Sequence, residues 1–478
     1  MQANLLVFDV GSTYTKLTAF RLTEERLELV VRSQAPTTIA DIETGIMAAR
    51  HNLEQTGVCV AADATVYSTS SAAGGLRMVA LGYMPRVTAK AAKEVAMNAG
   101  ARVLEIISHE DPPEYRLQVL QEIKPDIILL AGGTDGGDQE SLLENAGIIV
   151  QARSKAVVIL AGNKDAQGQV AEIFAARDVA CIRVPNVMPT IHELRVKPAR
   201  EAIHEQFIKQ ITLAKGLNKL LDIVSGKKVV PTPGAVLLGA ELLAKGTFQE
   251  AGVGDVIVID LGGATTDIHS VLPDLEKLSI EEKGLIVNNE KQPSYRTVEG
   301  NLGLRVSATG IVETVGPLGV LGKIGYSDPE LAEQLVTYTE YLEKNPEHIS
   351  QAPLEKQFDL ALAASAIEVA LKRHAGHIAQ EFNAVMGITP GTPIGRDLRR
   401  VQYVIAVGGL FTHGTANEKQ FVLQEAFKNP GISLLPTKPQ FIIDEQYVLY
   451  ALGALGSQYA DLCAKFAKQY FNIIPKGD

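Results

Sequence analysis

The chain has 478 residues, of which 46% are hydrophobic and 21% charged; this is an ordinary globular composition with length for roughly two to four domains, and it excludes long disorder and collagen-like repeats. With 45 Lys and Arg against 55 Asp and Glu, the net charge is −10, which argues against a nucleic-acid partner. Cys59, Cys181 and Cys463 stand far apart with no CxxC or Cys/His cluster, so neither a disulfide scaffold nor a zinc or iron–sulfur site within one chain is expected.

The opening MQANLLVFDVG has no basic stretch ahead of its apolar run, and no uninterrupted apolar segment approaches membrane-spanning length. A cytoplasmic location and no membrane partner are therefore expected. Short β-branched runs then alternate with helical periodicity, the pattern of α/β architecture. Strands are expected at residues 5–9, 16–20 and 27–31, a helix at 41–55 and a strand at 64–68. The tight turn after Asp9 makes the first two strands a hairpin, which is not how a dinucleotide-binding domain begins.

Between residues 76 and 185, five apolar runs alternate with four helical segments, including one at 88–99. This reads as an inserted doubly wound, Rossmann-like module. A proline-started helix is expected at 233–245 and a second hairpin at 255–271. Beyond it come a helical stretch with an apolar stripe at 358–385, a strand at 401–407 and helices at 418–427 and 446–459.

The two hairpins echo one another: DVGSTYTK at residues 9–16 and DLGGATTD at 260–267 share a frame. Each places an Asp at the end of a buried strand and turns through glycine and small hydroxyl residues. Glycine lets backbone N–H groups approach an anion closely. The expected phosphate-binding residues are Gly11, Ser12, Thr13 and Lys16 in the first turn, with Gly262, Gly263, Ala264, Thr265 and Thr266 in the second. Carboxylates beside phosphate repel it unless a cation intervenes, so Asp9 and Asp260 are expected to hold Mg2+ through water. A third buried strand runs into Gly408-Gly409 (VIAVGGLFTHG, residues 404–414), where bare backbone can receive a flat ring.

These three turns, in this order, resemble the actin, heat-shock chaperone and sugar kinase ATPase superfamily. The resemblance implies two ribonuclease-H-like lobes closing on ATP, an adenosine site at Gly408, Gly409 and Leu410, and connecting helices at 233–245 and 446–457. It divides the chain into residues 1–75, the inserted module 76–185, the rest of the first lobe 186–250, and a second lobe 251–478. Arg373, on the helix ahead of the adenosine strand, faces either the base or solvent. FDVGSTYTK, STSSAAGGLRM, LLAGGTDGGD, YRTVEGNLGLR and LKRHAGH narrow the resemblance to the glutamate mutase accessory protein family (MutL/GlmL-type reactivating ATPases).

That family resemblance implies a slowly ATP-hydrolysing chaperone whose partners are cobalamin-dependent mutase subunits, and leaves room for a homodimer. Asp9, Asp260 and Asp267 are the catalytic candidates. Thr232 stands where the heat-shock ATPases carry the acid that orients water, so either Asp260 or Asp267 takes that task or hydrolysis is slow. The module shares the alternating pattern of cobalamin-binding domains, yet the chain lacks Asp-x-His-x-x-Gly. No cobalamin held through a His of this chain is expected. A small-molecule kinase, a radical-dehydratase activator and a scaffold that merely binds ATP are the competing readings. Absence of tryptophan counts against the first, and absence of bridging cysteines against the second.

Overall fold

A computed structural model describes residues 2–11, 14–37, 42–71, 76–84, 95, 101–190, 195–213, 222–225, 229–272, 293–382 and 388–473. Ser12, Thr13, the AAGG of STSSAAGGLRM and all but Val95 of the helix expected at 88–99 lie outside them. The architecture is α/β and divides into two compact units, one of Met1–Thr37, Gly45–Thr69 and Ala235–Asp478, the other of Thr38–Thr44 and Ser70–Gly234.

In chain order the first unit begins with β1 (Gln2–Val10), β2 (Tyr14–Leu22), β3 (Leu27–Pro36), α1 (Ile42–Gln55) and β4 (Cys59–Ser70). Valine, leucine and phenylalanine fill β1, and its residues from Leu5 to Val10 are all buried, so one-sided alternation is lost. β1 and β2 pair antiparallel with Asp9 opposite Lys16.

The second unit carries β5 (Leu76–Gly82), β6 (Ala101–Ser108), α2 (Pro113–Ile123), β7 (Ile127–Leu130), α3 (Glu140–Ala152), β8 (Val157–Leu160), α4 (Gln167–Ala175), β9 (Cys181–Arg183), α5 (Lys197–Leu213) and β10 (Val229–Pro231). Its five-stranded sheet has the order β6-β5-β7-β8-β9 and every pairing is parallel. This is the doubly wound order 2-1-3-4-5. The glycine-rich loop after β7 is pinned at the strand ends: Asp135 accepts from Asn186 Nδ2 at 2.9 Å and from the Lys164 N–H at 3.1 Å. Asn163 Nδ2 donates to the carbonyls of Gly137 and Asp138. Gly133 has φ +68°, and a Cβ there would lie 2.1 Å from the Asp138 carbonyl oxygen, so the loop needs glycine at that point.

The first unit resumes along α6 (Thr232–Lys245) and continues through β11 (Val256–Leu261), β12 (Thr266–Val271), β13 (Ser294–Glu299), α7 (Ala308–Val315), α8 (Pro317–Gly322), α9 (Pro329–Lys344), α10 (Pro353–His374), β14 (His377–Ile378) and β15 (Pro393–Ile394). It ends with β16 (Tyr403–Gly408), α11 (Gly409–His413), α12 (Ala416–Phe427), β17 (Gln440–Ile443) and α13 (Leu449–Tyr470). Its second sheet has the order β13-β12-β11-β16-β17, and its first sheet runs β4-β1-β2-β3. Both therefore place their third, second, first and fourth strands side by side, with an antiparallel hairpin at the centre.

α10 lays Ala361, Leu362, Ala364, Ile367 and Leu371 into a core with Ile257, Ile259 and Ile268 of the second sheet. The apolar stripe continues in sequence to residue 385, but the helix stops at His374. Gly376 is the reason: a Cβ there would sit 2.2 Å from the Ile394 carbonyl oxygen, so the chain presses backbone to backbone against β15.

α6 and α13 cross at their glycines. A Cβ on Gly453 would lie 1.8 Å from the Ala235 carbonyl oxygen, and one on Gly239 would lie 2.3 Å from that of Leu449. Gly453→Ala is expected to destabilise the protein by at least about 2 kcal/mol, because two backbones must separate to admit one methyl group. Gly456 faces only Leu242 Cδ2 at 3.6 Å, so Gly456→Ala should be neutral or stabilising by up to about 1 kcal/mol. Thermal melts of the two variants against the parent test this, and equal losses would refute it.

Candidate active site

Both central hairpins close with an equivalent backbone hydrogen bond. Gly11 N–H donates to the Tyr14 carbonyl at 3.0 Å and Gly262 N–H to that of Thr265 at 2.9 Å. A Cβ on Gly11 would approach Tyr14 O to 2.7 Å, so the first turn requires glycine. The second turn is backed by the chain that follows β13. Leu304 N–H donates to the Gly262 carbonyl, the N–H groups of Arg305 and Val306 to that of Gly263, and the Ser307 hydroxyl to that of Ala264. With the carbonyls engaged, N–H groups are the remaining polar edge of the turn, which suits an anion. YRTVEGNLGLR thus supports the hairpin, a role its sequence does not announce.

Charge separates the two hairpins. Asp9 is 1% exposed and its Oδ2 accepts from Lys16 Nζ at 3.0 Å, while its Oδ1 accepts from the Thr69 hydroxyl at 2.9 Å. The register of the second hairpin sets Asp260 opposite Asp267, where the first sets an acid opposite a base. Burial, and then the like charge of Asp267, push the Asp260 carboxyl up to about 6. A hydrogen bond from the Tyr447 hydroxyl to Asp260 Oδ2 at 2.7 Å and the Lys16 charge pull the other way.

Asp267 is held firmly. Arg296 grips its Oδ1 through Nε at 2.8 Å and Nη2 at 2.5 Å, and the Thr265 hydroxyl donates to its Oδ2 at 3.0 Å. Both oxygens are in use, whereas Asp260 commits one to Tyr447. The Thr266 hydroxyl is buried and donates to the Leu302 carbonyl, so it acts inside the strand pair. Ser12 and Thr13 lie outside the described residues.

β16 runs parallel to β11 with Leu261 opposite Gly408, so the Gly408-Gly409 turn and the second hairpin emerge from the same ends of adjacent strands. Crevices at such carboxyl ends are where open α/β sheets receive ligands. Gly408 has φ +126°, and a Cβ there would lie 2.1 Å from the Leu261 carbonyl oxygen; at Gly409 nothing lies within 4 Å of that position. Leu410 follows in α11. Arg373 is half-exposed and pairs with Glu299 at 2.5 Å, on the strand beside the second hairpin. His374 is buried between the Ser270 and Thr297 hydroxyls. Thr232 is buried at the start of α6.

No role was read from the sequence for Tyr447, nor for Thr69 and Arg296, which lie within STSSAAGGLRM and YRTVEGNLGLR. Tyr447 is 4% exposed, and its ring carries the Lys16 ammonium 3.9 Å from its centroid while its hydroxyl holds Asp260. The sequence signal was an aromatic pair, Tyr447 and Tyr450, at the entry to a helix whose first turns are rich in alanine and glycine. Among the described residues no group of three or more His, Cys, Asp or Glu is disposed to hold a metal ion directly. Three carboxylates, Asp9, Asp260 and Asp267, lie together with the Lys16 and Arg296 cations paired to two of them, a donor set that suits a hydrated divalent cation.

The family model described as MutL protein matches residues 5–471. Protein MutL of Clostridium tetanomorphum is 37% identical over 471 residues, covering 97% of this chain and 98% of that one. Among solved structures, a xylulose kinase from Lactobacillus acidophilus aligns over 98% of this chain and 92% of its own at 11% identity and a TM-score of 0.33. A glycerol dehydratase reactivase aligns over 95% and 100% at 12% identity and a TM-score of 0.32. Among the described residues no helix is long and apolar enough to cross a membrane.

Because folding raises the Asp260 pKa, the native state binds a proton that the unfolded chain releases. The ionised carboxylate therefore costs stability above about pH 6, and that cost disappears as pH falls through 6 toward 4. Asp260→Asn is expected to stabilise the ligand-free protein at pH 8 by roughly 1–3 kcal/mol, with the gain vanishing by about pH 4. Denaturant unfolding of both proteins at several pH values measures it; a variant less stable at pH 8 would contradict this electrostatic account.

Proposed function

The chain belongs to the MutL protein family, the glutamate mutase accessory family, and on that premise we propose that it is an ATP-binding, slowly hydrolysing reactivating chaperone of an adenosylcobalamin-dependent mutase or aminomutase. The observation that carries the nucleotide part is the continuous chain Asp9, Lys16, Tyr447, Asp260, which joins the ends of two like-turned hairpins. The repeated sheets support the two-lobed reading, with the second sheet contributing Gly408, Gly409 and Leu410 for adenosine.

In this reading the amide edges of the two glycine turns and the Lys16 ammonium bind the phosphates, with Ser12, Thr13 and Thr265 as hydroxyl donors. Asp9 and Asp260 would hold Mg2+ through water, and the ion would supply charge neutralisation at the phosphate oxygens. Thr232 has no basicity near neutral pH, and Asp267 has both oxygens engaged by Arg296 and Thr265. Asp260, whose Oδ2 takes the Tyr447 hydroxyl, is therefore the carboxylate we assign to orienting water. Phosphoryl transfer depends chiefly on positioning and charge, so a site with one modest base turns over slowly. Closing on ATP and opening on release gives a two-state element able to loosen cytoplasmic mutase subunits so that damaged cofactor leaves.

Two measurements test the reading together. Saturating Mg-ATP should raise the melting temperature by about 2–4 °C, since a ligand that binds only the folded state stabilises it by mass action. Mg-ATP should also restore turnover to a glutamate mutase inactivated with hydroxocobalamin, and a non-hydrolysable analogue should not. No shift in melting would sink the nucleotide reading; a shift without rescue would sink the reactivating role. Asp9→Asn should lower the hydrolysis rate at least about tenfold, or roughly 1.4 kcal/mol of transition-state stabilisation; hydrolysis at the wild-type rate would remove Asp9 from the site.

A further inference from the structure

Tyr447 has backbone geometry that a bulky side chain rarely adopts: φ +51°, in the left-handed region. Such a conformation persists only where its surroundings over-determine it, and it marks positions where geometry is put to use. The surroundings here are explicit. The fully buried carboxylate of Asp444 accepts from the Val448 and Leu449 N–H groups at 2.9 and 3.0 Å and from the Tyr470 hydroxyl at 3.2 Å. Tyr447 N–H donates to the Asp444 carbonyl at 3.1 Å. The turn into α13 is thus fixed from both of its sides, and the Tyr447 ring has one direction in which to point.

That direction leads between the hairpins. Its hydroxyl donates to Asp260 of the second sheet, and its face lies under Lys16 of the first. Tyr450, three residues on, packs at 5.4 Å from the Tyr447 ring and sends its hydroxyl to Thr18 at 2.8 Å and the Val7 carbonyl at 3.2 Å. One turn of chain therefore touches both sheets, directly ahead of the helix that crosses α6 at Gly453.

We propose that Tyr447 is a positioning residue that couples the two hairpins, its hydroxyl fixing the Asp260 carboxylate and its ring seating the Lys16 ammonium. The proposal rests on the nucleotide reading above and names how that same site is organised and sensed. An arriving phosphate competes for the ammonium that Asp9 and the ring now share, so occupancy at the first hairpin is felt by the side chain that holds Asp260. Because Tyr447 is anchored to the start of α13, that change reaches the α6–α13 crossing by a covalent route.

The two contacts separate by substitution. Tyr447→Phe keeps the ring and removes the hydrogen bond, so the Mg-ATP dissociation constant should change by less than about twofold while turnover falls about five- to tenfold. Tyr447→Leu removes both and should also weaken Mg-ATP binding by about tenfold. In a Lys16→Met background Tyr447→Leu should cause less than about a twofold further loss of binding, the non-additivity expected of residues in contact. Calorimetric titration with Mg-ATP and Mg-ADP reads binding without turnover, and far-UV circular dichroism confirms that each variant is folded. Tyr447→Phe with wild-type turnover, Tyr447→Leu with wild-type affinity, or additive losses in the double variant would each overturn the proposal. Absence of Mg-ATP binding by the wild-type protein would instead overturn the nucleotide reading on which it stands.

Discussion

Two helices that touch through their backbones set the geometry of the first unit. Where α6 meets α13, Gly239 and Gly453 leave no room for a single Cβ, so the crossing is fixed by main-chain atoms whose positions no side-chain rotamer can adjust. The start of α13 is then held by Asp444, whose burial pushes its carboxyl up to about 6 while the Val448 and Leu449 N–H groups and the Tyr470 hydroxyl pull against that rise. A rigid crossing and a capped start place Tyr447 and Tyr450 where each reaches a different sheet.

The electrostatics of the site follow from one difference between two otherwise matching turns. The first hairpin sets Lys16 opposite its acid and the second sets Asp267 there. Asp9 is ion-paired within its own hairpin, while Asp260 faces a like charge and depends on a tyrosine hydroxyl and a lysine from the other sheet. Arg296, on the neighbouring strand, quiets Asp267 by gripping one of its oxygens. The site is left with one settled carboxylate, one engaged carboxylate and one whose affinity for a proton lies near neutrality. Two hairpins of the same strand register thus hold their acids in two different electrostatic settings.

In the second unit, the parallel sheet of order 2-1-3-4-5 ends its central strands in a loop whose acids are turned inward. Asp135 is tied to Asn186 and to the Lys164 N–H, and Asp138 accepts from the Ser141 hydroxyl and N–H. Charge in Thr134–Asp138 maintains the loop's own shape, so substitutions there act on the loop before they act on any partner.

The sequence by itself determined much of the framework. Short β-branched runs and glycine turns gave the hairpins at Asp9 and Asp260, the alternation over residues 76–185 gave the doubly wound sheet, and the motif echo paired two turns some 250 residues apart. Those signals are legible because strand pattern and turn chemistry are local properties of the chain. Tertiary structure alone decided which of the acids is held and which is poised: Arg296 reaches Asp267 from a different strand, and Tyr447 reaches Asp260 across 187 residues. It also decided that α10 stops at His374, where Gly376 meets β15, although the apolar stripe runs on. A carboxylate's state depends on burial and on charges brought near it by folding, and no local pattern encodes either.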